Sequence, residues 1–397
     1  MKHASIIPLI GGETIGSELA FGKRPEYFLS YTPFWNNDQH IVNHYNNEIP
    51  YYVIDKGERP KVKVDVVSSV CPCAGLSQMS HGYGDHNPNN KWLTESTKYV
   101  LEEMQPKVLW GENAPGLAGK IGENVRNNMY KIGRDNGYSM TVYRTRSLLH
   151  GVPQVRERSF YFFWKGDKTP ALNYYHRPYK SIEQTILDAK GNTQVEPINP
   201  KTPSLDPYYR FILEKLHNGL THKEFAKQVE PEKARQNDTF SYIEKMGVGY
   251  AELSTWMSEK GYELEAASCL RKKVKLESGG NIMRRGVIVP KDYIGAFVGH
   301  YPLMLTHPVE DRFITYREAM SIMGLPDNFE LIDPKKNSNH ICQNVPVQTA
   351  RDMATEVREY LLGNRQMNDS TFTFQFNHSK THKHMNTTST TLDMFID

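Results

Sequence analysis

A cysteine and a glutamate follow two predicted strands in the first third of the chain. Cys73 comes after Pro72 and after the β-branched, apolar run at residues 64–70, which is too short for a helix and predicts a buried strand. Glu112 comes just after a second apolar run, residues 108–110. Reactive groups in open α/β sheets gather at the carboxyl ends of the strands, so we expect Cys73 and Glu112 at one edge. Taken alone, Cys73 is more readily explained as a small buried hydrophobic residue.

Two arginines are candidates to activate this cysteine. Cysteine reacts as a thiolate, which a neighbouring cation stabilises. Arg156 and Arg158 stand in the segment Gln154-Val155-Arg156-Glu157-Arg158, directly before an apolar strand predicted at residues 159–164. A buried carboxyl group such as that of Glu112 can hold or share a proton during catalysis. The ordinary alternative for Glu112 is a helix cap after the turn.

The elements around these residues alternate between strands and helices over residues 1–165. That alternation predicts an α/β fold with a doubly wound, mostly parallel sheet. The polar, glycine-containing segment 78–91 predicts a mobile loop beside Cys73. The predicted strands cover residues 5–12, 26–31, 51–55, 64–70, 108–110, 140–143 and 159–164, and the predicted helices cover residues 13–20, 38–45, 94–104 and 121–136.

The second half of the chain is less regular. Residues 166–309 are rich in Lys, Asn, Pro and Tyr and predict a second, smaller domain. Regular structure returns at residues 310–362, and the Asn/Ser/Thr/His-rich segment 363–397 predicts a disordered tail. A basic cluster in the second domain is either a solvated face or a nucleic-acid contact; it consists of Arg271, Lys272, Lys273, Lys275, Arg284 and Arg285. Helices are predicted at residues 316–323 and 347–362, with a polar turn at residues 333–339.

The composition narrows the class of protein. Hydrophobic residues make up 38% of the chain and charged residues 23%, and no apolar run approaches the ~20 residues that span a bilayer. Four cysteines are too few for a disulfide scaffold and fit a reducing compartment, so we expect a cytoplasmic protein. We also expect a monomer. The net charge of +3 neither requires nor excludes nucleic acid. We expect no metal, because a zinc site at Cys71, Cys73, His81 and His86 would have an unusual Cys-x-Cys spacing.

Five short motifs, taken in order, resemble those of the cytosine-C5 DNA methyltransferases of bacterial and phage type. Each motif is weak alone, but their order and spacing make the resemblance specific, and it extends from residue 5 to about residue 362. The motifs are Pro72-Cys73, Glu112-Asn113-Ala114, Gln154-Val155-Arg156-Glu157-Arg158, Arg312-Phe313-Ile314-Thr315-Tyr316-Arg317-Glu318 followed by Gly324-Leu325-Pro326, and Gln343-Asn344-Val345-Pro346.

The resemblance implies a covalent reaction on a base flipped out of double-stranded DNA. Cys73 would add to C6 of the cytosine, Glu112 would hold N3, and Arg158 would hold O2, with Arg156 or Arg158 as the cation. C5 would then accept a methyl group from S-adenosylmethionine. The catalytic Rossmann-like methyltransferase domain would comprise residues 1–165 and 310–362, and residues 166–309 would be the target-recognition domain, with the segment 78–91 as a lid. Ser77 and the basic cluster would contact DNA.

The departures from the family concentrate at the cofactor contacts. Ile7 and Leu9 stand where the family has a phenylalanine and a glycine. Asn36 stands where the family has the ribose carboxylate, so Asp38 is the substitute, and Gln343 replaces a late glycine. The donor is therefore S-adenosylmethionine or a modified derivative of it. The residues that match the family's cofactor contacts are Ile7, Pro8, Ile10, Gly11, Gly12, Asp38, Asp55, Pro72 and Asn344.

Other functions stay open on the sequence. A modified sulfonium donor would attach a different carbon group through the same chemistry. A non-catalytic DNA-binding relative would need none of Cys73, Glu112 and Arg158, and an RNA substrate is a minor alternative. The segment Leu392-Asp393-Met394-Phe395 resembles the peptides by which DNA enzymes dock on bacterial sliding clamps, with a chance apolar end as the alternative.

Overall fold

The computed structural model describes residues 1–72, 74–77, 84–229, 238–282, 286–299 and 301–377. Cys73, the segment 78–83, Arg284, Arg285 and the segment 392–395 lie outside these residues. The strands of the described residues are β1 (His3–Ile6), β2 (Phe28–Ser30), β3 (Tyr51–Val53), β4 (Val66–Val70), β5 (Val108–Asn113), β6 (Tyr138–Arg146), β7 (Glu157–Lys165), β8 (Thr169–Pro170), β9 (Met367–Asn368) and β10 (Phe372–Phe376).

Helices flank these strands through most of the chain. The helix at Lys91–Tyr99 continues into a π-helical turn at Val100–Met104, and the helix at Pro207–Phe211 continues into another at Ile212–Leu216. The helices are α1 (Gly12–Phe21), α2 (Trp35–His44), α3 (Lys91–Tyr99), α4 (Glu123–Asp135), α5 (Ile182–Leu187), α6 (Pro207–Phe211), α7 (His222–Gln228), α8 (Thr239–Lys245), α9 (Tyr250–Glu259), α10 (Glu263–Glu277), α11 (Tyr316–Ile322), α12 (Pro334–Gln343) and α13 (Val347–Leu361).

Eight of the strands form one sheet in the order β10-β6-β7-β5-β4-β1-β2-β3. Its pairings are parallel except those of β7, which runs antiparallel to both β5 and β6. The prediction of a mostly parallel, doubly wound sheet is confirmed. The central strands are buried on both faces, as expected for a sheet covered by helices, and every residue of β4 is buried.

A large apolar core holds the sheet and places the ends of β4, β5 and β7 together. Large aromatic side chains dominate it around β5 and β7, including Trp110, Trp164 and Phe162, which are fully buried. The indole ring of Trp110 and the ring of Phe162 stack with centroids 6.2 Å apart. Such rings bury the largest areas and bring the most apolar stabilisation per residue.

A separate apolar cluster lies within the segment that the sequence predicts to be a second domain. It joins helices α6 to α10 with Val287, Val289 and Phe313. Residues 166–198 do not belong to this cluster: Leu172 packs in the sheet core, and Ile182 packs in a cluster with α11. The domain boundary predicted at residue 166 stays a prediction.

Two local predictions near the C-terminal end are wrong. The polar turn predicted at residues 333–339 is the start of α12, because Pro334 occupies the first helical turn, where a missing N–H costs nothing. The disordered tail predicted from residue 363 contains β9 and β10, and β10 is an ordered strand of the sheet parallel to β6. Alternating Phe372, Phe374 and Phe376 give this segment a strand pattern that its polar composition conceals.

Among the residues that the structure describes, no helix is long and apolar enough to cross a membrane.

Candidate active site

The pairing of β4 with β5 brings the two predicted strand ends together. The parallel register sets Glu112 opposite Val70, three residues before Cys73. Glu112 lies within β5 rather than in the loop after it, and only 3% of its surface is exposed. Gly111 allows this close approach, because a Cβ there would lie 2.4 Å from the Tyr161 hydroxyl oxygen and 2.6 Å from the Ser69 carbonyl oxygen.

Arg158 reaches the buried carboxylate from β7. Its Nε lies 2.5 Å from Oε1 of Glu112, and its Nη1 donates to the Glu157 carbonyl oxygen at 2.7 Å. Both side chains are largely buried, with 12% and 4% of their surfaces exposed. The ion pair matters here because an unpaired carboxylate would be expensive to bury. Of the predicted catalytic residues, the structure thus brings Glu112 and Arg158 into direct contact.

Asn113 anchors the segment that follows β4, a role that sequence analysis missed. Its Nδ2 donates to the Cys71 carbonyl oxygen at 3.3 Å, and its Oδ1 accepts from the Ala114 N–H at 2.9 Å. The amide therefore ties the end of β5 to the chain two residues before Cys73. Only the proximity of Asn113 to Glu112 in the motif pointed to it.

Cys71 is a structural thiol. Its Sγ lies 3.3 Å from the Ser69 hydroxyl oxygen and 3.2 Å from that of Ser96. Burial raises the pKa of the Cys71 thiol, which keeps it protonated and unreactive. Cys73, the other cysteine of the Cys-Pro-Cys segment, lies outside the described residues.

Arg156 contacts the backbone of two other segments rather than Glu112. Its Nη1 donates to the carbonyl oxygens of Phe297, at 2.9 Å, and Cys342, at 2.8 Å. Gln154 binds the same segment, since its Oε1 accepts from the Phe297 N–H at 3.2 Å. Arg156 therefore joins β7 to the region before α13, and its predicted role as the cation for Cys73 stays a prediction.

The described part of the predicted lid is anchored. Asp85 accepts from the Asn124 and Val125 N–H groups at 3.3 and 3.4 Å, which caps the first turn of α4. The Asn90 amide donates to the Gly84 carbonyl oxygen at 2.9 Å, and the Gly84 N–H donates to the Gly75 carbonyl oxygen at 2.7 Å. The mobile loop predicted over 78–91 is thus fixed from residue 84, and residues 78–83 lie outside the described residues.

The loop after β1, predicted to hold the cofactor, is buried against the chain itself. Ile7, Pro8, Ile10, Gly11 and Gly12 are all buried. A Cβ on Gly11 would lie 2.3 Å from the Ile41 Cδ1 atom, so a glycine is required there by α2.

Asp38 holds this loop from α2. Its Oδ1 accepts from the Leu9 N–H at 2.8 Å, and its Oδ2 accepts from the Tyr51 hydroxyl at 2.7 Å. Burial raises the pKa of Asp38 to about 7. Because both oxygens are engaged and the residue is fully buried, the geometry argues against Asp38 as the ribose ligand. Asp55 is exposed but also engaged, since it accepts from the Thr32 N–H at 3.1 Å and from its hydroxyl at 2.9 Å.

The start of α1 fits the amino-acid end of the predicted donor. Asn344 Oδ1 accepts from the Gly12 N–H at 2.8 Å, whereas the Asn344 Nδ2 donor is buried and makes no hydrogen bond within the described residues. A buried donor without a partner is costly, and a helix N-terminus favours negative charge. A carboxylate bound here would satisfy both groups. Pro72, the last predicted cofactor contact, is half-buried at the end of β4.

The basic cluster lies mainly on α10, a helix that the sequence analysis did not predict. Arg271, Lys273 and Lys275 are exposed. Lys272 is different: its Nζ lies 3.9 Å from the ring centroid of Phe240, and burial lowers its pKa. Lys272 therefore packs against an aromatic ring of the α6–α10 cluster, and its predicted role in DNA contact stays a prediction. Ser77 is half-buried after β4.

A family model described as C-5 cytosine-specific DNA methylase matches residues 2–359. The chain belongs to this family. The methylase transfers a methyl group to C5 of cytosine in DNA, and the family's donor is S-adenosylmethionine. The resemblance inferred from the five motifs is thereby confirmed.

Individual relatives agree with the family. The type II methyltransferase M.NgoPII of Neisseria gonorrhoeae is 22% identical to this methylase over 371 residues, covering 91% of this chain and 96% of that protein. The type II methyltransferase M.DdeI of Desulfomicrobium norvegicum is 24% identical over 351 residues, covering 80% and 78%. A solved structure from an Escherichia coli prophage, assigned as a DNA modification methyltransferase, has the same fold, with a TM-score of 0.54 and 16% identity over 91% of this chain and 99% of that one.

Proposed function

We propose that this methylase uses Cys73 as its nucleophile and the Glu112–Arg158 pair to hold the target cytosine. The observation that carries the proposal is the contact of 2.5 Å between Arg158 and a buried Glu112 whose strand lies in register with the strand leading to Cys73. A sulfur from this loop and a carboxyl group from the next strand would reach the same ring. The ring would have to leave the duplex, since its C6 atom is inaccessible inside the stack.

Glu112 and Arg158 would share the work on the pyrimidine ring. When the Cys73 thiolate adds to C6, electron density moves toward N3 and O2. The Glu112 carboxyl would hold the proton at N3, and the Arg158 guanidinium would hold O2 and neutralise the developing charge. Pairing the two before substrate binds keeps the carboxyl oriented, so that little reorganisation is needed during the reaction.

The N-terminus of α1 and Asn344 would hold the amino-acid end of S-adenosylmethionine. When bound, this cofactor supplies an electrophilic methyl group to the activated C5 atom. Asn344 Nδ2 and the first N–H groups of α1 would bind its carboxylate. The ribose end has no equally clear acidic ligand, because Asp38 is engaged within the chain. A modified sulfonium donor is the alternative that this difference favours.

The α6–α10 cluster would be the part that reads DNA sequence. It carries the exposed residues Arg271 and Lys275 on one side of α10, and cations at such positions bind phosphates. We further propose that the enzyme acts as a cytoplasmic monomer and that Leu392–Phe395 docks on a sliding clamp. Unchanged clamp binding after deletion of the last ten residues would dismiss that tether.

Covalent trapping tests the proposed residues directly. Duplex DNA with 5-fluorocytosine at the target position blocks the release of the enzyme, so the wild-type protein with S-adenosylmethionine should give an adduct that survives denaturing electrophoresis. We expect Cys73→Ala to abolish it and Glu112→Gln to slow its formation by at least 100-fold, whereas Cys71→Ala should still form it. An adduct with Cys73→Ala would refute the proposal.

Mass spectrometry of nucleosides identifies the group transferred. DNA from cells that express the protein should contain 5-methylcytosine, and none should accumulate with Cys73→Ala. A different C5 substituent would establish the modified donor instead. DNA with neither product, together with retained DNA binding, would indicate the non-catalytic relative.

A further inference from the structure

A row of hydrogen-bonded, buried polar side chains, called the polar network below, lies next to the Arg158 end of β7. The Thr145 hydroxyl lies 2.8 Å from Nε2 of His150, and Nδ1 of His150 lies 2.9 Å from Oδ2 of Asp352. Thr145 is 2% exposed, His150 is fully buried and Asp352 is 1% exposed. None of these residues has a role in the mechanism above, although burying three polar groups is costly unless each is satisfied.

The hydrogen bonds of the polar network have one consistent direction. The carboxylate of Asp352 can only accept, so Nδ1 of His150 donates to it and Nε2 is left as an acceptor for the Thr145 hydroxyl. The Thr145 oxygen in turn accepts from Nδ2 of Asn377 at 3.2 Å. Arg177 completes the far end with three hydrogen bonds to Asp352, at 2.8, 2.9 and 3.2 Å. Burial lowers the pKa of His150, which agrees with a neutral ring.

Two of these residues belong to the β6–β7 hairpin: Thr145 lies on β6, and His150 lies in the connection between the two strands. In the antiparallel pairing of β6 with β7, Thr145 is the residue directly opposite Arg158. The position of Arg158 along the hairpin is therefore tied to the position of Thr145. The other end of the polar network, Asp352, is on α13, which begins three residues after Asn344. Helix α13 also packs closely against α1, since a Cβ on Gly16 would lie 2.6 Å from that of Ala350.

We propose that Thr145, His150 and Asp352 are positioning residues for methyl transfer, holding the Arg158 end of the β6–β7 hairpin against Glu112. The inference rests on the proposed roles of Glu112 and Arg158. Through Asp352, the same hydrogen bonds fix that hairpin to the helix that follows the cofactor contact Asn344. Asn377, which donates to Thr145, lies beyond the residues matched by the family model, 2–359.

A matched pair of substitutions on β6 separates positioning from stability. Thr141 lies four residues before Thr145 on the same strand and is also buried. Its hydroxyl bonds to Thr373 and Trp164, each at 3.0 Å, but its cross-strand partner is Phe162 rather than Arg158. Thr145→Val and Thr141→Val each replace a buried hydroxyl by a methyl group, so the two should destabilise the fold by similar amounts.

The measurements are kcat for methyl transfer, the KM values for DNA and S-adenosylmethionine, and the thermal melting temperature. We expect Thr145→Val to lower kcat about tenfold with KM for DNA and S-adenosylmethionine changed less than twofold, Thr141→Val to leave kcat within twofold, and Thr145→Ser to restore it. His150→Asn keeps a donor toward Asp352 and loses the acceptor for Thr145, so it should repeat the loss if Thr145→Val does not fold.

Two results would overturn the inference, and they differ from failure of the proposed function. Equal losses of kcat in Thr145→Val and Thr141→Val would show a merely structural role, and so would an unchanged kcat in folded Thr145→Val or His150→Asn. In either case the wild-type protein would still form its 5-fluorocytosine adduct. Absence of that adduct in the wild-type protein would instead refute the assignment of Cys73, Glu112 and Arg158.

Discussion

At the scale of single residues, the loop after β1 adopts a conformation that its side chains disfavour. Ile7 and Leu9 have φ angles of 54° and 51°, in the left-handed region where a Cβ atom crowds the backbone. Leu9 stands where the family has a glycine, and its N–H is held by Asp38. The chain therefore keeps the backbone shape of the glycine-containing loop although the glycine is absent, at the cost of local strain.

This strain predicts an inverted preference between alanine and glycine. Both Leu9→Ala and Leu9→Gly remove the same buried side chain, but only glycine adopts this φ freely. We expect Leu9→Gly to be the more stable of the two by about 1 kcal/mol in chemical denaturation. At exposed Leu19 in α1, the order should be the reverse, since alanine is the better helix former. A more stable Leu9→Ala would contradict the strain.

The residues proposed to do the chemistry could be identified from the sequence, whereas those proposed to hold them in place could not. Cys73, Glu112 and Arg158 stand in motifs whose side-chain types the reaction requires. Asn113 and Thr145 act through a carbonyl group and a histidine ring that only the folded chain brings near. For the same reason, sequence spacing does not reveal that both Asp38 oxygens accept hydrogen bonds within the chain, and the acidic cofactor contacts stay predictions.

At the scale of elements, α2 and α12 are joined by two histidines. Nδ1 of His40 accepts from the Ile332 N–H at 3.0 Å, so Nε2 carries the proton and donates to Nδ1 of His340 at 3.0 Å. Burial, and then the charge of His340, lower the pKa of His40 to about 4. A lowered histidine pKa means that the folded state prefers the neutral ring, which stabilises the fold above the unfolded pKa of about 6.5.

The contact between α2 and α12 should weaken in acid. As the pH falls from about 6.5 toward 4, His40 becomes protonated in the unfolded chain but not in the folded one, so stability is lost, by at most about 3 kcal/mol. Glu13 and Asp38, whose pKa values burial raises to about 7, act in the opposite direction. The measurement is therefore the difference in free energy of unfolding between the wild-type protein and His40→Asn, at pH 7.5 and 5.0.

The difference in free energy of unfolding between the wild-type protein and His40→Asn is expected to narrow at low pH. His40→Asn should be less stable than the wild-type protein at pH 7.5, and the gap should shrink by at least 1 kcal/mol at pH 5.0. Replacement of the exposed His86 by Gln gives the matched control and should show no such change. A gap that is constant across this range would show that the His40–His340 pair does not respond to pH.

The elements predicted best were those with a strong apolar period. Strands β4, β5 and β7 and helices α1 and α13 were predicted within a few residues. Helix α12 was missed because its sequence is polar and only Ile341 and Cys342 are buried. Helix α10 was missed because only Ala266 and Cys269 are buried and the apolar residues Leu264, Leu270 and Val274 are exposed, so its sequence shows no clear apolar face. Strand β10 was missed because its phenylalanines stand in a polar context.

At the scale of the whole molecule, binding to DNA depends on where the cations lie rather than on their number. The net charge is only +3. On α10, at about 100° of rotation per residue, Arg271 and Lys275 fall on one side of the helix, and Lys273 falls on nearly the opposite side. Lys273 is also paired with Glu277 at 3.7 Å, and Lys272 covers the ring of Phe240.

Salt dependence distinguishes these four cations. Arg271→Ala and Lys275→Ala should each reduce the slope of log K against log salt concentration by about 1, as expected for the loss of one phosphate contact. Lys273→Ala should leave the slope unchanged. Lys272→Ala should lower the melting temperature and leave the slope unchanged. Equal slopes for Lys275→Ala and Lys273→Ala in a fluorescence titration would refute the assignment of this face.

The late position of β10 in the sequence affects how the sheet forms during protein synthesis. Strand β10 pairs with β6, yet more than 200 residues separate them in the chain. At a synthesis rate of about 5–20 residues per second, β6 waits on the order of ten seconds or more for its outer neighbour, with its edge open to other nascent chains. The Asn377 side chain, and with it the full support of Thr145, emerges later still. Maturation of the active centre is thus expected to follow translation rather than to accompany it.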